Sequence, residues 1–143
     1  MKVINIIESL DDTYGGPAKS VPYLCKYLND INVDTEMLSV KYQDKEDNSV
    51  VSEYNLQWKY FKYNFFKKIR YSKSLKKYLD NKLTNQSQVI LHTHNLWNYI
   101  PYIAYKMKRK YKVSLVATIR GSVKLDKIRK KIMWNLFQKD MLN

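Results

Sequence analysis

Three observations predict an α/β fold built on a doubly wound parallel sheet. Short apolar runs alternate along the chain with amphipathic stretches of helical spacing. The first run, with Val3, Ile4, Ile6 and Ile7, is nearly continuous, as in a parallel strand covered on both faces. Glycine, histidine and arginine gather just after the carboxyl ends of these runs, where ligands of such sheets bind. At 143 residues and 45% hydrophobic content, the chain has room for one domain with a core.

The opening segment, Met1 to Ser20, reads as that buried strand, a Gly15-Gly16 turn and a helix start. Only three glycines occur in the chain, so two side by side mark a place where backbone is expected to pass close to something. Pro17 suits a first helical position, where its missing N–H would have no partner anyway. The helix that follows places Ala18, Val21, Cys25 and Leu28 on one face, flanked by Leu24 and Ile31. A strand feeding a glycine turn into a helix N-terminus is an anion-binding geometry, and it is also an ordinary turn of any α/β protein. The turn is neither the G-x-G-x-x-G fingerprint of dinucleotide binders nor a Walker loop, since no G-K-[ST] follows.

Val33 to Lys41 reads as the second strand. Gln43 to Glu53 is polar and is expected to be a surface loop. Asn55 to Tyr63, with Trp58, Tyr60 and Phe61, is expected to give a short third strand and a mobile aromatic loop. Ile69 to Leu83 returns to helical spacing through Leu75, Tyr78, Leu79 and Leu83. Ser87 to Thr93 is a strand. Trp97 to Tyr111 is a helix capped by Asn98, with Ile100, Ile103, Ala104 and Met107 facing inward. Val113 to Ile119 is a further strand. Lys124 to Leu142 is a last amphipathic helix, striped by Leu125, Ile128, Ile132 and Leu136.

Composition narrows the function classes. One cysteine, Cys25, excludes an intrachain disulfide and a cysteine-based zinc site. No stretch reaches the roughly 18 apolar residues of a transmembrane helix. Glu8, Asp11 and Asp12 interrupt any signal peptide, so a cytoplasmic location is expected. The net charge of +13 is uneven: residues 1–53 carry ten acids and five bases, residues 54–143 three acids and twenty-one bases. Such asymmetry points to an anionic partner, nucleic acid or a lipid surface. Lysine outnumbers arginine 22 to 4, and the compositional bias of an AT-rich genome explains the same charge without a partner.

His92 and His94 are the only histidines, and their spacing at a strand end projects them to one side. Both could hydrogen-bond a polar ligand, or His92 could serve a structural bond. A metal pair would need a third ligand, and none is obvious nearby, so no metal is expected. Arg120 beside Gly121 could pair with a phosphate or carboxylate, or be a surface loop arginine. No nucleophile elbow is present.

Three motifs, Ile7-Glu8-Ser9-Leu10 through Tyr14-Gly15-Gly16-Pro17-Ala18-Lys19-Ser20, His92-Thr93-His94-Asn95-Leu96-Trp97, and Thr118-Ile119-Arg120-Gly121, occur in this order. Together they resemble the amino-terminal domain of family-4-type bacterial glycosyltransferases of the GT-B fold. The resemblance covers nearly the whole chain. It implies a Rossmann-like, acceptor-side domain of an enzyme that builds capsule, exopolysaccharide or lipopolysaccharide. Such enzymes move a sugar from a nucleotide-sugar to a glycan or lipid-linked acceptor, retain configuration and usually need no metal or cofactor. It further implies that His94 lies near the transferred sugar as the catalytic residue. Gly15, Gly16, Lys19, His92, Arg120 and Gly121 then bind substrate. Arg120 matches an S-P-R-G motif whose proline is here Ile119.

The carboxy-terminal, donor-binding domain of such enzymes has no counterpart in residues 1–143, and the first domain itself is expected to be incomplete. The expectation is therefore a fragment, inactive alone, that a second polypeptide could complete. The strand around Leu115 is expected to form a bare sheet edge. Lys67–Lys77 and Lys124–Lys131 are candidates for docking on an anionic membrane at the inner face of the plasma membrane. The competing reading is a non-catalytic basic α/β module that binds such a membrane or nucleic acid. Nucleic acid is disfavoured because no recognised motif for it is present.

Overall fold

The structure is a computed structural model. It describes residues 1–11, 16–41, 49–63, 71–86, 88–94 and 96–120, together with positions 128, 130–132 and 135. Five parallel strands form one sheet: β1 (Lys2–Ile7), β2 (Asp34–Lys41), β3 (Trp58–Lys62), β4 (Val89–Thr93) and β5 (Ser114–Ala117). Between them run α1 (Gly16–Asp30), α2 (Ser49–Glu53), α3 (Lys73–Thr84) and α4 (Tyr99–Tyr111). The strand order is β3-β2-β1-β4-β5. The chain winds outward from β1 to β3, crosses back through α3, and winds outward again from β4. This is a Rossmann-like doubly wound sheet, as the sequence predicts, with its switch point between β1 and β4.

Alternation along the strands divides the core in two. Ile4 and Ile6 of β1, Leu38 and Val40 of β2, and Val89 and Leu91 of β4 pack with Leu75, Leu79 and Leu83 of α3 and Ile100, Ile103, Ala104 and Met107 of α4. On the opposite face, Ile7 and Met37 meet Val21 and Cys25 of α1 and Val51 of α2. The inner strands are thus buried on both sides, which is why β1 reads as an apolar run rather than a strict alternation.

Local chemistry sets the element ends. Ser72 caps α3, its hydroxyl accepting from the Leu75 N–H at 3.2 Å while donating to the Lys62 carbonyl at 2.8 Å. Asn32 and Asn55 have φ of 61° and 49°, so asparagine rather than glycine takes the left-handed positions after α1 and α2. Glu36, buried in β2, accepts from the Tyr78 hydroxyl and pairs with Lys82 at 2.8 Å, which ties α3 to the sheet.

Several expectations are corrected. Residues 49–53 are not loop but α2, because Val51 and Leu56 fill the lower core and draw the segment inward. The third helix starts at Lys73 rather than Ile69, since Tyr71 forms a bridge and Ser72 supplies the cap. Ile31 is exposed rather than flanking the buried face, because the helix has already ended at Asp30. Positions 128, 130–132 and 135 are helical, and the rest of the expected last helix lies outside the described residues. Ile128 is 79% exposed and Ile132 is exposed too, so the described part of that stripe is not packed on the core. Val116 of β5 is 46% exposed. Among the described residues β5 is an edge strand, as the sequence predicts. Within Asn55–Tyr63, the stretch Trp58–Lys62 forms β3, and Lys67 and Lys68 lie outside the described residues.

A candidate anion and sugar crevice at the sheet switch point

The candidate site lies at the carboxyl ends of the adjacent strands β1 and β4. Parallel pairing sets Asn5 of β1 beside His92 of β4 and Ile6 beside Thr93. The His94 N–H then donates to the Ile6 carbonyl at 3.3 Å, holding the end of β4 against β1. Alternation sends His92 and His94 to the same side, and their ring centroids lie 4.0 Å apart.

Each imidazole has a distinct partner. His92 Nε2 lies 2.7 Å from the Thr118 hydroxyl, just beyond β5. His94 Nε2 lies 3.0 Å from Asn5 Oδ1, and the Asn5 amide nitrogen donates to Cys25 Sγ at 3.3 Å. The Asn5 oxygen therefore accepts, so His94 carries its proton on Nε2 and leaves Nδ1 as a bare acceptor. His94 is only 1% exposed, and among the described residues its Nδ1 has no hydrogen-bond partner. Burial, then the neighbouring His92 and Arg120, push the His94 pKa down to about 3. Burial and then Arg120 also lower that of His92. Both rings are neutral at pH 7. Burial likewise raises the Cys25 thiol to about 11, so Cys25 is a neutral core thiol.

Arg120 supplies the positive charge. It follows β5 and reaches across to α1, where its terminal nitrogen donates to Ser20 Oγ at 2.6 Å. Ser20 in turn donates to the Gly16 carbonyl at 2.8 Å. Arg120 is thus moored at the first turn of α1, where the helix N–H groups and dipole also favour an anion. Among the described residues Arg120 Nε has no hydrogen-bond partner. On the other side, Asn98 caps α4 by accepting from the Ile100 N–H at 2.9 Å, and its amide donates to Glu8 at the end of β1.

Of the residues singled out in the sequence, His92, His94, Arg120 and the α1 terminus at Gly16 converge on these carboxyl ends. Lys19 lies on α1 and is exposed. Gly15 and Gly121 lie outside the described residues. The close approach expected at the glycine turn is not found at Gly16, where an added Cβ would meet nothing within 4 Å. Sequence reasoning missed Asn5, Glu8, Ser20 and Thr118. Asn5 had a legible signal, a single amide inside the apolar run from Val3 to Ile7. Among the described residues no three metal-ligating side chains of His, Cys, Asp or Glu come together.

Arg120 and the α1 terminus can bind phosphate or carboxylate oxygens. The Nδ1 of His94 is a buried acceptor without a partner among the described residues, and its low pKa unsuits it to carrying a proton at neutral pH. No protein-family model matches the chain, and a search of curated proteins finds no match either.

Proposed function

We propose that the chain is the amino-terminal, acceptor-side domain of a retaining glycosyltransferase of cell-surface polysaccharide assembly. The observation that supports this reading is the meeting of His94, His92 and Arg120 with the N-terminus of α1 at the β1/β4 switch point. A nucleotide-sugar presents a diphosphate beside a ring of hydroxyls. Arg120 and the helix terminus suit the phosphate, and the His94 acceptor suits a sugar hydroxyl. With its pKa pushed down to about 3, His94 is too weak a base to take up a proton at neutral pH, so its part is to orient the sugar by hydrogen bonding. In this reading a second domain or polypeptide supplies the rest of the nucleotide site, and the acceptor is a glycan or a lipid-linked glycan. The protein works at the cytoplasmic face of the membrane. Among the described residues, no helix is long and apolar enough to cross it.

The alternative is a non-catalytic basic module that binds an anionic membrane or nucleic acid. It draws on the exposed lysines of α3, such as Lys73, Lys76 and Lys77, and gives the crevice no role. Titration of the chain with glucose 1-phosphate, followed by amide and imidazole NMR, separates the two. The transferase reading expects saturable shifts at Gly16, Ser20, His92 and His94 that Arg120→Ala abolishes. Shifts confined to α3, with the crevice silent, would favour the basic module.

A further inference from the structure

A second concave site lies on the outer side of the α3/α4 layer. It is a groove of about 670 Å³ between the two helices, lined by Lys76 and Asp80 of α3 and by Tyr102, Lys106, Arg109 and Lys110 of α4, among others. Its volume is in the range of small-ligand sites. It shares no residue with the crevice. It starts about one turn along α4 from Asn98 and runs toward the helix carboxyl end.

The groove holds four cations and one carboxylate among its lining residues. Asp80 is already committed: it accepts from Lys110 Nζ at 2.7 Å and from the Tyr111 hydroxyl at 2.8 Å, with Lys76 Nζ 3.9 Å away. Lys106 and Arg109 have no carboxylate partner among the described residues. They lie over aromatic rings instead, Lys106 Nζ 4.5 Å from the centroid of Tyr102 and the Arg109 guanidinium 6.0 Å from that of Tyr105. These contacts lay the two side chains along the groove and leave their charge uncompensated.

The rings are already engaged within the protein. Tyr105 is buried, and Tyr102 lies under Lys106 on one face and packs edge-to-face with Tyr99. That argues against single-stranded nucleic acid, which needs free aromatic faces. Concavity favours a compact anion over an extended surface.

We propose that the α3/α4 groove is a second binding site, for a free ligand carrying clustered phosphate groups, held by Lys106 and Arg109 with Lys76 and Lys110 at the flank. Its occupancy is independent of the crevice and of the transferase reading.

The test is an NMR titration of the whole chain with inorganic tripolyphosphate at constant ionic strength, with vesicles of neutral and anionic phospholipid as a second arm. The expected result is a saturable response centred on residues 102–110, carried by free tripolyphosphate. Lys106→Ala and Arg109→Ala should each weaken binding about tenfold, in line with loss of one charged hydrogen bond. Lys26→Ala, which removes an equal charge from exposed α1, should leave it unchanged. A response spread evenly over surface lysines, or equal losses in all three variants, would overturn the proposal. So would binding to anionic vesicles with none to free tripolyphosphate, which would make the face a membrane surface.

Discussion

At the scale of single residues, His94 is defined by what surrounds it. Asn5 fixes its tautomer, and burial keeps it neutral. Its folded pKa of about 3 lies below the ordinary 6.5, so between these values the unfolded chain binds more protons than the folded one. Stability should therefore be complete above pH 6.5 and fall as pH drops toward 3, by up to about 1 kcal/mol per pH unit. His92, shifted in the same direction, adds to the slope. Urea midpoints measured from pH 7 to pH 4 should show this decline, and His94→Asn should flatten it. Replacing the amide with a carboxylate, Asn5→Asp, should raise the His94 pKa, read from its ring proton shifts. Asn5→Leu should instead cost about 1–3 kcal/mol by leaving the buried Nε2–H without an acceptor. The pair of histidines was legible as a shared side of a strand. Their partners were not, because Asn5 and Thr118 reach them only through the tertiary fold, across 89 and 26 positions of sequence.

At the scale of elements, caps and packing carry the architecture. Asn98 caps α4 and anchors Glu8, so one residue fixes both a helix end and a wall of the crevice. Asn98→Ala should cost about 1–2 kcal/mol in urea denaturation, with most of the loss assigned to the cap. Leu79 is fully buried between α3 and the sheet, and Leu79→Ala should cost about 2–5 kcal/mol. The Asn98 cap and the inward face of α4 were readable directly, since capping residue and 3.6-residue periodicity are local signals. The short helix α2 was not. Five residues give too little periodicity, and Val51 is recruited by the core under β2 rather than by its neighbours in sequence.

At the scale of the whole molecule, the order β3-β2-β1-β4-β5 decides where chemistry can gather. The alternation of strands and helices made the doubly wound parallel sheet legible, whereas the order of its strands was not read, because which strand lies beside β1 is settled by tertiary pairing. That order brings His94, Arg120 and the first turn of α1 to one crevice although up to about a hundred residues separate them. It also leaves β5 with a free side among the described residues, a natural place for another strand to add. The central claim is that this crevice is half of a glycosyltransferase site. Its most direct test is sugar transfer from a panel of UDP- and GDP-sugars to lipid-linked acceptors, using the chain mixed with the polypeptide of the adjacent reading frame. Transfer by the mixture and little by the chain alone is expected, with His94→Ala lowering the rate about a hundredfold and Lys26→Ala leaving it unchanged. Transfer indifferent to His94→Ala, or no transfer from any donor in the mixture, would contradict it.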